Sequence, residues 1–226
     1  MKTLICIPCM DKVDTLFMEC MLRLNLPPDT DWAISRSSLI YDSRNNLAKM
    51  AVDGNFDVVL WLDSDMSFPS DLVHKLMSHI DRGHRVISGM YFTRKMPVIP
   101  VMCSEIGFKK EPQKGQEAND PATGWTPYTL PADSYEPGST FKVAAMGMGA
   151  CMMEVDVIKE VQAKFGLPFS PEPGFGEDYS FCRRCTDLGI DMWCDSSIKL
   201  GHIGQTIITE DTWHALKAKQ AAKSGQ

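Results

Sequence analysis

The sequence predicts an α/β fold in one domain, with a mostly parallel central sheet flanked by helices. Strand-like and helix-like runs alternate over about the first ninety residues, the rhythm of a sheet with helical crossovers. The run Phe56-Asp57-Val58-Val59-Leu60-Trp61-Leu62 is almost wholly apolar and partly β-branched, as suits a strand covered on both faces. Between such runs, apolar residues recur at helical spacing. A chain of 226 residues is the right size for one such domain, and no charged or low-complexity linker divides it.

Leu4 to Cys9 reads as a buried first strand, with Pro8 near its end. Asp11 to Leu24 follows with Val13, Leu16, Phe17, Cys20, Met21 and Leu24 on one helical face, and Pro27-Pro28 stops it. Trp32 to Ser35 is a short second strand. Asp42 or Ser43 can cap a helix through Leu47, Met50 and Ala51, ending at Gly54. The strand at 56–62 comes next and breaks off in Asp63-Ser64-Asp65. Pro69 opens a helix carrying Leu72, Leu76 and Ile80 on one side, closed by Gly83. Arg85 to Ser88 is another strand.

From Lys95 to Thr140 the chain is rich in Pro, Gly, Lys, Glu and Asp, with aromatic islands at Phe108, Trp125, Tyr128 and Tyr135. A loop of that length inside one domain is usually functional or mobile. Lys142 to Met153 is strand-like around Gly147-Met148-Gly149, and Glu154 to Phe165 is an amphipathic helix. Gly174 leads into a helix over Glu177 to Leu188. Short strands follow at Asp191 to Cys194 and Ile198 to Leu200, then a terminal helix over Thr209 to Ala222. These elements divide the chain into a first part at 1–94, a long loop or insertion at 95–140, a second part at 141–208 and a terminal helix and tail at 209–226.

Hydrophobic residues make up 44% of the chain and charged residues 23%, enough for a packed core. The net charge of −6 gives no global attraction to nucleic acid or anionic membrane, although Lys109-Lys110 and Arg183-Arg184 are local basic spots. The N-terminal apolar stretch is too short for a signal peptide, and nothing reaches the length of a membrane span, so the expected location is the cytoplasm. Eight cysteines scattered through strand-like and helix-like runs fit reduced core thiols better than a disulfide framework. Cys6-Ile7-Pro8-Cys9 and Cys182-Arg183-Arg184-Cys185 have zinc-site spacing, but both fall in segments that read as core.

Three motifs carry chemistry. Asp63 and Asp65 are two apart in a chain read as extended, so their carboxylates should point the same way, just past a central strand where open α/β sheets hold ligands. Two hard oxygen ligands there suit Mg2+ or Mn2+ shared with substrate phosphates. Gly174-Phe175-Gly176-Glu177-Asp178 puts an acidic pair at a helix start; it could merely complement the helix dipole or could supply a general base. His202, between Gly201 and Ile203-Gly204, follows a short strand, and an imidazole beside carboxylates shifts metal preference toward Mn2+. Gly147 and Gly149 lack a third glycine for a dinucleotide fingerprint and are read as letting backbone pass close to a donor sugar.

Together, in this order and spacing, these motifs resemble the GT-A glycosyltransferases, most closely the family-two-like group, over roughly residues 1 to 208. The resemblance implies a nucleotide-sugar donor, UDP-sugars favoured, and a hydroxyl acceptor of unspecified class: glycan, protein, metabolite or modified nucleic-acid base. It implies that Asp65 and His202, with Asp63, hold Mn2+ or Mg2+, and that Asp63 and Ser64 meet the donor. Asp178 becomes the catalytic base of an inverting transfer. Arg44 is matched to an arginine near the donor diphosphate, and Pro8, Cys9 and Asp11 to the nucleotide pocket. Glu177 and Trp125 are assigned to the acceptor. One departure is that Ser35-Arg36-Ser37-Ser38 stands where relatives carry an acidic residue that reads uracil.

Other readings compete. A sugar-1-phosphate nucleotidyltransferase would want a glycine-rich basic loop after the first strand, and residues 8 to 15 hold no glycine. A two-metal phosphoesterase or nuclease would use Asp63, Asp65, Glu177 and Asp178. A sugar-binding module without turnover would keep the fold alone.

Overall fold

A computed structural model describes residues 1–110, 125–204 and 207–224. Its centre is a seven-stranded sheet built from β1 (Thr3–Cys9), β2 (Thr30–Arg36), β3 (Val58–Leu62), β5 (Val86–Met90), β8 (Thr140–Val143), β9 (Ala150–Glu154) and β10 (Met192–Lys199). The order is β2-β1-β3-β9-β5-β10-β8. β1, β2, β3, β5 and β10 run one way, while β9 and the edge strand β8 run the other. β4 (Met66–Ser67) leaves this sheet and pairs antiparallel with β11 (Gly201–His202).

The helices are α1 (Thr15–Leu22), α2 (Ile40–Asp53), α3 (Leu72–Ile80), α4 (Val155–Phe165), α5 (Glu177–Asp187) and α6 (Glu210–Ser224). Asp14 caps α1 by accepting from the Leu16 amide at 2.8 Å. α2 begins earlier than the sequence suggested. Neither Asp42 nor Ser43 caps it; Leu39 holds the cap position, and Ser43 is buried inside the first turn. Leu72, Leu76 and Ile80 line the buried face of α3 as their spacing requires, and Gly83, at φ +87°, lets the chain leave it.

The strand-like stretch 142–153 is two strands, β8 and β9, separated by the segment that carries Gly147 and Gly149. Because β9 runs backwards, its first residue lies beside the last of β3, with Ala150 opposite Leu62. This reversal brings Gly147–Gly149 to the carboxyl end of β3, where Asp63 begins.

The Lys95–Thr140 segment holds a hairpin-like pair that its composition concealed, β6 (Cys103–Lys110) and β7 (Trp125–Pro131). β7 contains Pro127 and Pro131, which a strand with one neighbour can accept because half its amides need no ladder partner. No helix among the described residues is long and apolar enough to cross a membrane.

α5 is held by its own apolar residues. Phe181 is fully buried and stacks on Phe169 at 4.6 Å, and Phe169 meets Trp61 edge-on at 4.9 Å. Burying one such ring is worth about 1.5–3 kcal/mol, so the start of α5 is fixed against the central strand that ends in Asp63.

Candidate active site at the carboxyl ends of β1 and β3

The chain does not stay extended through Asp63-Ser64-Asp65. The Met66 amide bonds the Asp63 carbonyl at 3.1 Å, closing a turn. The extended geometry behind the side-by-side orientation expected of residues two apart is therefore absent, and the two carboxylates take different partners. Asp63 takes Arg44, with Oδ1 at 2.8 Å from Nη2. Asp65 meets His202 and Arg94.

β4 and β11 bring His202 there. His202 pairs with Met66, and the Ile203 amide donates to the Asp65 carbonyl at 2.7 Å. Gly201 is needed for this approach, since a Cβ on it would stand 2.3 Å from Ser67 Oγ. His202 Nδ1 lies 2.9 Å from the Phe92 carbonyl, which can only accept, so Nδ1 carries the hydrogen. In the neutral ring Nε2 is then a bare lone pair, 3.6 Å from Asp65 Oδ2. Burial disfavours the charged imidazole, but Asp65 and the Phe92 carbonyl outweigh it and raise the His202 pKa. Burial likewise opposes ionised Asp65, yet His202 and Arg94 hold its pKa below the usual carboxylate value.

On the Asp63 side, Arg44 is buried at 2% exposure and its Nε reaches Glu177 Oε1 at 3.1 Å. The guanidinium also lies over Trp61, 5.7 Å from the ring centre. Burial would drive its proton off, but Asp63 and Glu177 reverse that and raise its pKa. Arg44, matched in sequence to a donor arginine, spends Nη2 and Nε on these two carboxylates, and its buried Nη1 has no hydrogen-bond partner among the described residues. The residue is a buried tie between the β3 end and the α5 start. Glu177, expected at the acceptor, is held in the same tie.

Asp178 follows Glu177 in the first turn of α5 and is half-buried. Its Oδ1 accepts from the Tyr179 amide at 2.7 Å. Burial pushes its pKa up to about 6, Glu177 and Asp63 add to the rise, and Arg44 and the Tyr179 amide restrain it. A carboxylate ionised at neutral pH but still appreciably basic is what general-base work requires.

The glycines of the Gly147-Met148-Gly149 step are required by the protein's own packing. A Cβ on Gly147 would sit 2.1 Å from the hydroxyl of Tyr91, and one on Gly149 would lie 2.9 Å from the Tyr91 ring. Tyr91 takes a hydrogen bond from the Gly149 amide at 3.0 Å, and the Gly149 carbonyl in turn accepts from the Asp63 amide at 3.0 Å. Tyr91 also meets His202 edge-on at 5.7 Å, so one buried ring supports both sides of the site.

Pro8 and Cys9 are buried at the end of β1, and Cys9 Sγ reaches the Lys12 carbonyl at 3.0 Å. Asp11 is exposed in the segment that follows. That segment touches the carboxylate turn through the Asp14 amide, 3.1 Å from the Ser64 carbonyl. Trp125 starts β7, and its side chain lies outside the described residues. β7 meets the site through Pro127, which presses on Gly174 (φ +83°) just before α5.

Sequence reading missed Arg94, an exposed arginine paired with Asp65, and Tyr91. Arg94 stands in a segment with no pattern, and only the fold brings it to Asp65. A cleft of about 740 Å3 opens beside it, lined by Met96, Val98, Ile208, Thr212 and Leu216 among others. All eight cysteines are free thiols, and all but Cys20 are buried. Among the described residues no group of three or more His, Cys, Asp and Glu side chains forms a ready metal cage.

No family model matches this chain, and no curated protein does. Solved structures do. The crystal structure of A197 from STIV is 18% identical, with a TM-score of 0.59 over 92% of this chain and 94% of that one. The crystal structure of GalNAc-T7 with UDP, GalNAc and Mn2+ is 11% identical, with a TM-score of 0.58 over 94% of this chain. The chain spans 45% of that longer protein. At these identities the likeness is one of fold, and the fold is the GT-A type of α/β architecture.

Proposed function

We propose that this chain is a metal-dependent glycosyltransferase that moves a sugar from a nucleotide-diphosphate donor to an acceptor hydroxyl, with Asp178 as the base. The observation that carries this reading is Asp178, raised to about 6 at a fixed helix start and within electrostatic reach of Asp63, the first residue of the turn whose Asp65 meets His202. The likeness to a structure that holds UDP, GalNAc and Mn2+ supports it.

Asp65 Oδ2 and His202 Nε2, with Nδ1 fixed by Phe92, are a hard oxygen and a borderline nitrogen facing one space. That donor set suits Mn2+ or Mg2+ held by few protein ligands and completed by diphosphate and water. Bound there, the ion would neutralise charge on the departing diphosphate. Asp63 and Glu177 belong to Arg44 rather than to a second ion, which disfavours the two-metal phosphoesterase reading.

The chain's own groups do the rest. Arg44 joins Asp63 to Glu177 and so fixes the distance between the β3 end and Asp178. Asp178 takes the proton of the acceptor hydroxyl as it attacks the anomeric carbon, giving inversion and a contribution of about 10²–10⁴-fold in rate. The segment from Pro8 to Asp11, next to the Ser64 turn, receives the nucleoside, with UDP the first to try. The β6–β7 pair and the start of α5 face the acceptor. The family-two-like group is the assignment these roles fit best.

The test uses nucleotide-sugars with Mn2+, reading release of the nucleoside diphosphate. Asp178→Asn should retain metal-dependent donor binding and lose turnover by at least about a hundredfold. Turnover near that of the unaltered chain removes Asp178 as base.

A further inference from the structure

We infer that Arg94 is an exchangeable counter-cation: it occupies Asp65 until a divalent ion arrives, then turns to the diphosphate that comes with the ion. The inference rests on the metal assignment above and concerns a residue that the assignment did not need.

The geometry is specific. Asp65 is a half-buried carboxylate, and the groups on it are Arg94 Nη1 and, at 3.6 Å, His202 Nε2. Both His202 and Arg94 approach the same oxygen, Oδ2, which a divalent ion would also take. Arg94 therefore competes directly with the ion. The other arginine of the site, Arg44, cannot exchange in this way because it is buried and held by two carboxylates.

Arg94 can move. Its side chain is 46% exposed and projects from a segment on the rim of the neighbouring cleft. The backbone beneath it is tied down. The Thr93 amide donates to the Ile99 carbonyl at 2.9 Å, the Ile99 amide donates to Thr93 Oγ1 at 3.1 Å, and Thr93 Oγ1 reaches the Pro97 carbonyl at 3.0 Å. A guanidinium on a fixed base can change partner by rotating its own torsions. An ion on Asp65 cancels the charge that held Arg94 there. A diphosphate on that ion supplies two or more acceptor oxygens that match the guanidinium fork.

The consequence has two opposite signs. Removing Arg94 frees Asp65, so Mn2+ alone binds more tightly. It also removes a phosphate contact, so a diphosphate binds less tightly once the ion is present. A residue that merely shaped Asp65 would weaken both.

The experiment measures Mn2+ alone by electron paramagnetic resonance, and then pyrophosphate by calorimetry in saturating Mn2+, for the full chain and for Arg94→Met. A half-exposed ion pair is worth up to about 1 kcal/mol, so Mn2+ should bind up to about fivefold more tightly to the variant. Pyrophosphate should bind about tenfold less tightly. Arg94→Lys, which keeps the charge without the fork, should fall between the two in both measurements. Arg94 is exposed, and a thermal melt checks that the variants stay folded. Equal Mn2+ affinity, or weaker Mn2+ binding in Arg94→Met, overturns the exchange and leaves the metal assignment standing. No Mn2+ binding in any of the three proteins removes both.

Discussion

Asp178 and Arg44 set opposing demands at the residue scale. Folded Asp178 holds its proton up to about pH 6 rather than near 3.8, so its native environment favours the neutral acid. The stability it contributes is present at low pH and is lost as pH rises from about 3.8 to about 6. Asp178→Asn should therefore stabilise the chain at pH 7, on the order of 1–2 kcal/mol in a denaturant melt, while it destroys transfer. A variant less stable than the parent at pH 7 contradicts a burial-raised Asp178 pKa. Activity should rise with pH on a limb centred near 6 as Asp178 ionises. Arg44 restrains that pKa, so Arg44→Lys, with one partner lost, should move the limb upward and cost stability; an unmoved limb would detach Arg44 from the base. Truncating Arg44 altogether leaves two facing carboxylates without their cation and should cost about 3–5 kcal/mol.

Elements explain which parts of the site the sequence could announce. The apolar run at 56–62 ends at a carboxylate because β3 needs burial on both faces and the half-buried turn that follows it does not. Phe181 at helical spacing behind Asp178 declared its anchor. Long-range partnerships were hidden: nothing local states that β11 pairs with β4, that β9 runs backwards, or that Arg44 is consumed by Asp63 and Glu177. The β6–β7 pair was hidden by its own composition, since prolines and charges in a two-stranded ribbon read as loop. Gly147 and Gly149 were legible as positions of close approach, but the approaching group is Tyr91. Gly147→Ala should cost about 2–3 kcal/mol through the clash with the Tyr91 hydroxyl. Tyr91→Phe removes that oxygen and should recover part of the loss, so the double variant should be more stable than the two single effects summed. Strict additivity in the melts would show that the clash lies elsewhere.

At the scale of the whole molecule, the sheet brings the post-β1 segment, the Asp63–Asp65 turn and the reversed β9 to one place, and α5 and β11 add Asp178 and His202. Buried ties, not exposed ones, hold this arrangement: Arg44 between β3 and α5, and Tyr91 beneath Gly149 and beside His202. His202 must be neutral to bind an ion, and its raised pKa means that protons compete with the metal at mildly acid pH. Metal affinity should therefore fall as pH is lowered. The central claim is that Asp65 and His202 join a divalent ion to a donor diphosphate. Its most direct test is a thermal melt of the chain with nucleoside diphosphates, with and without Mn2+, repeated on Asp65→Asn. Binding linkage makes saturation at about a hundred times Kd worth about 2.7 kcal/mol. The expected result is a rise in melting temperature for at least one nucleoside diphosphate that requires Mn2+ and vanishes in Asp65→Asn. A rise that persists without the metal, or survives in the variant, contradicts the claim.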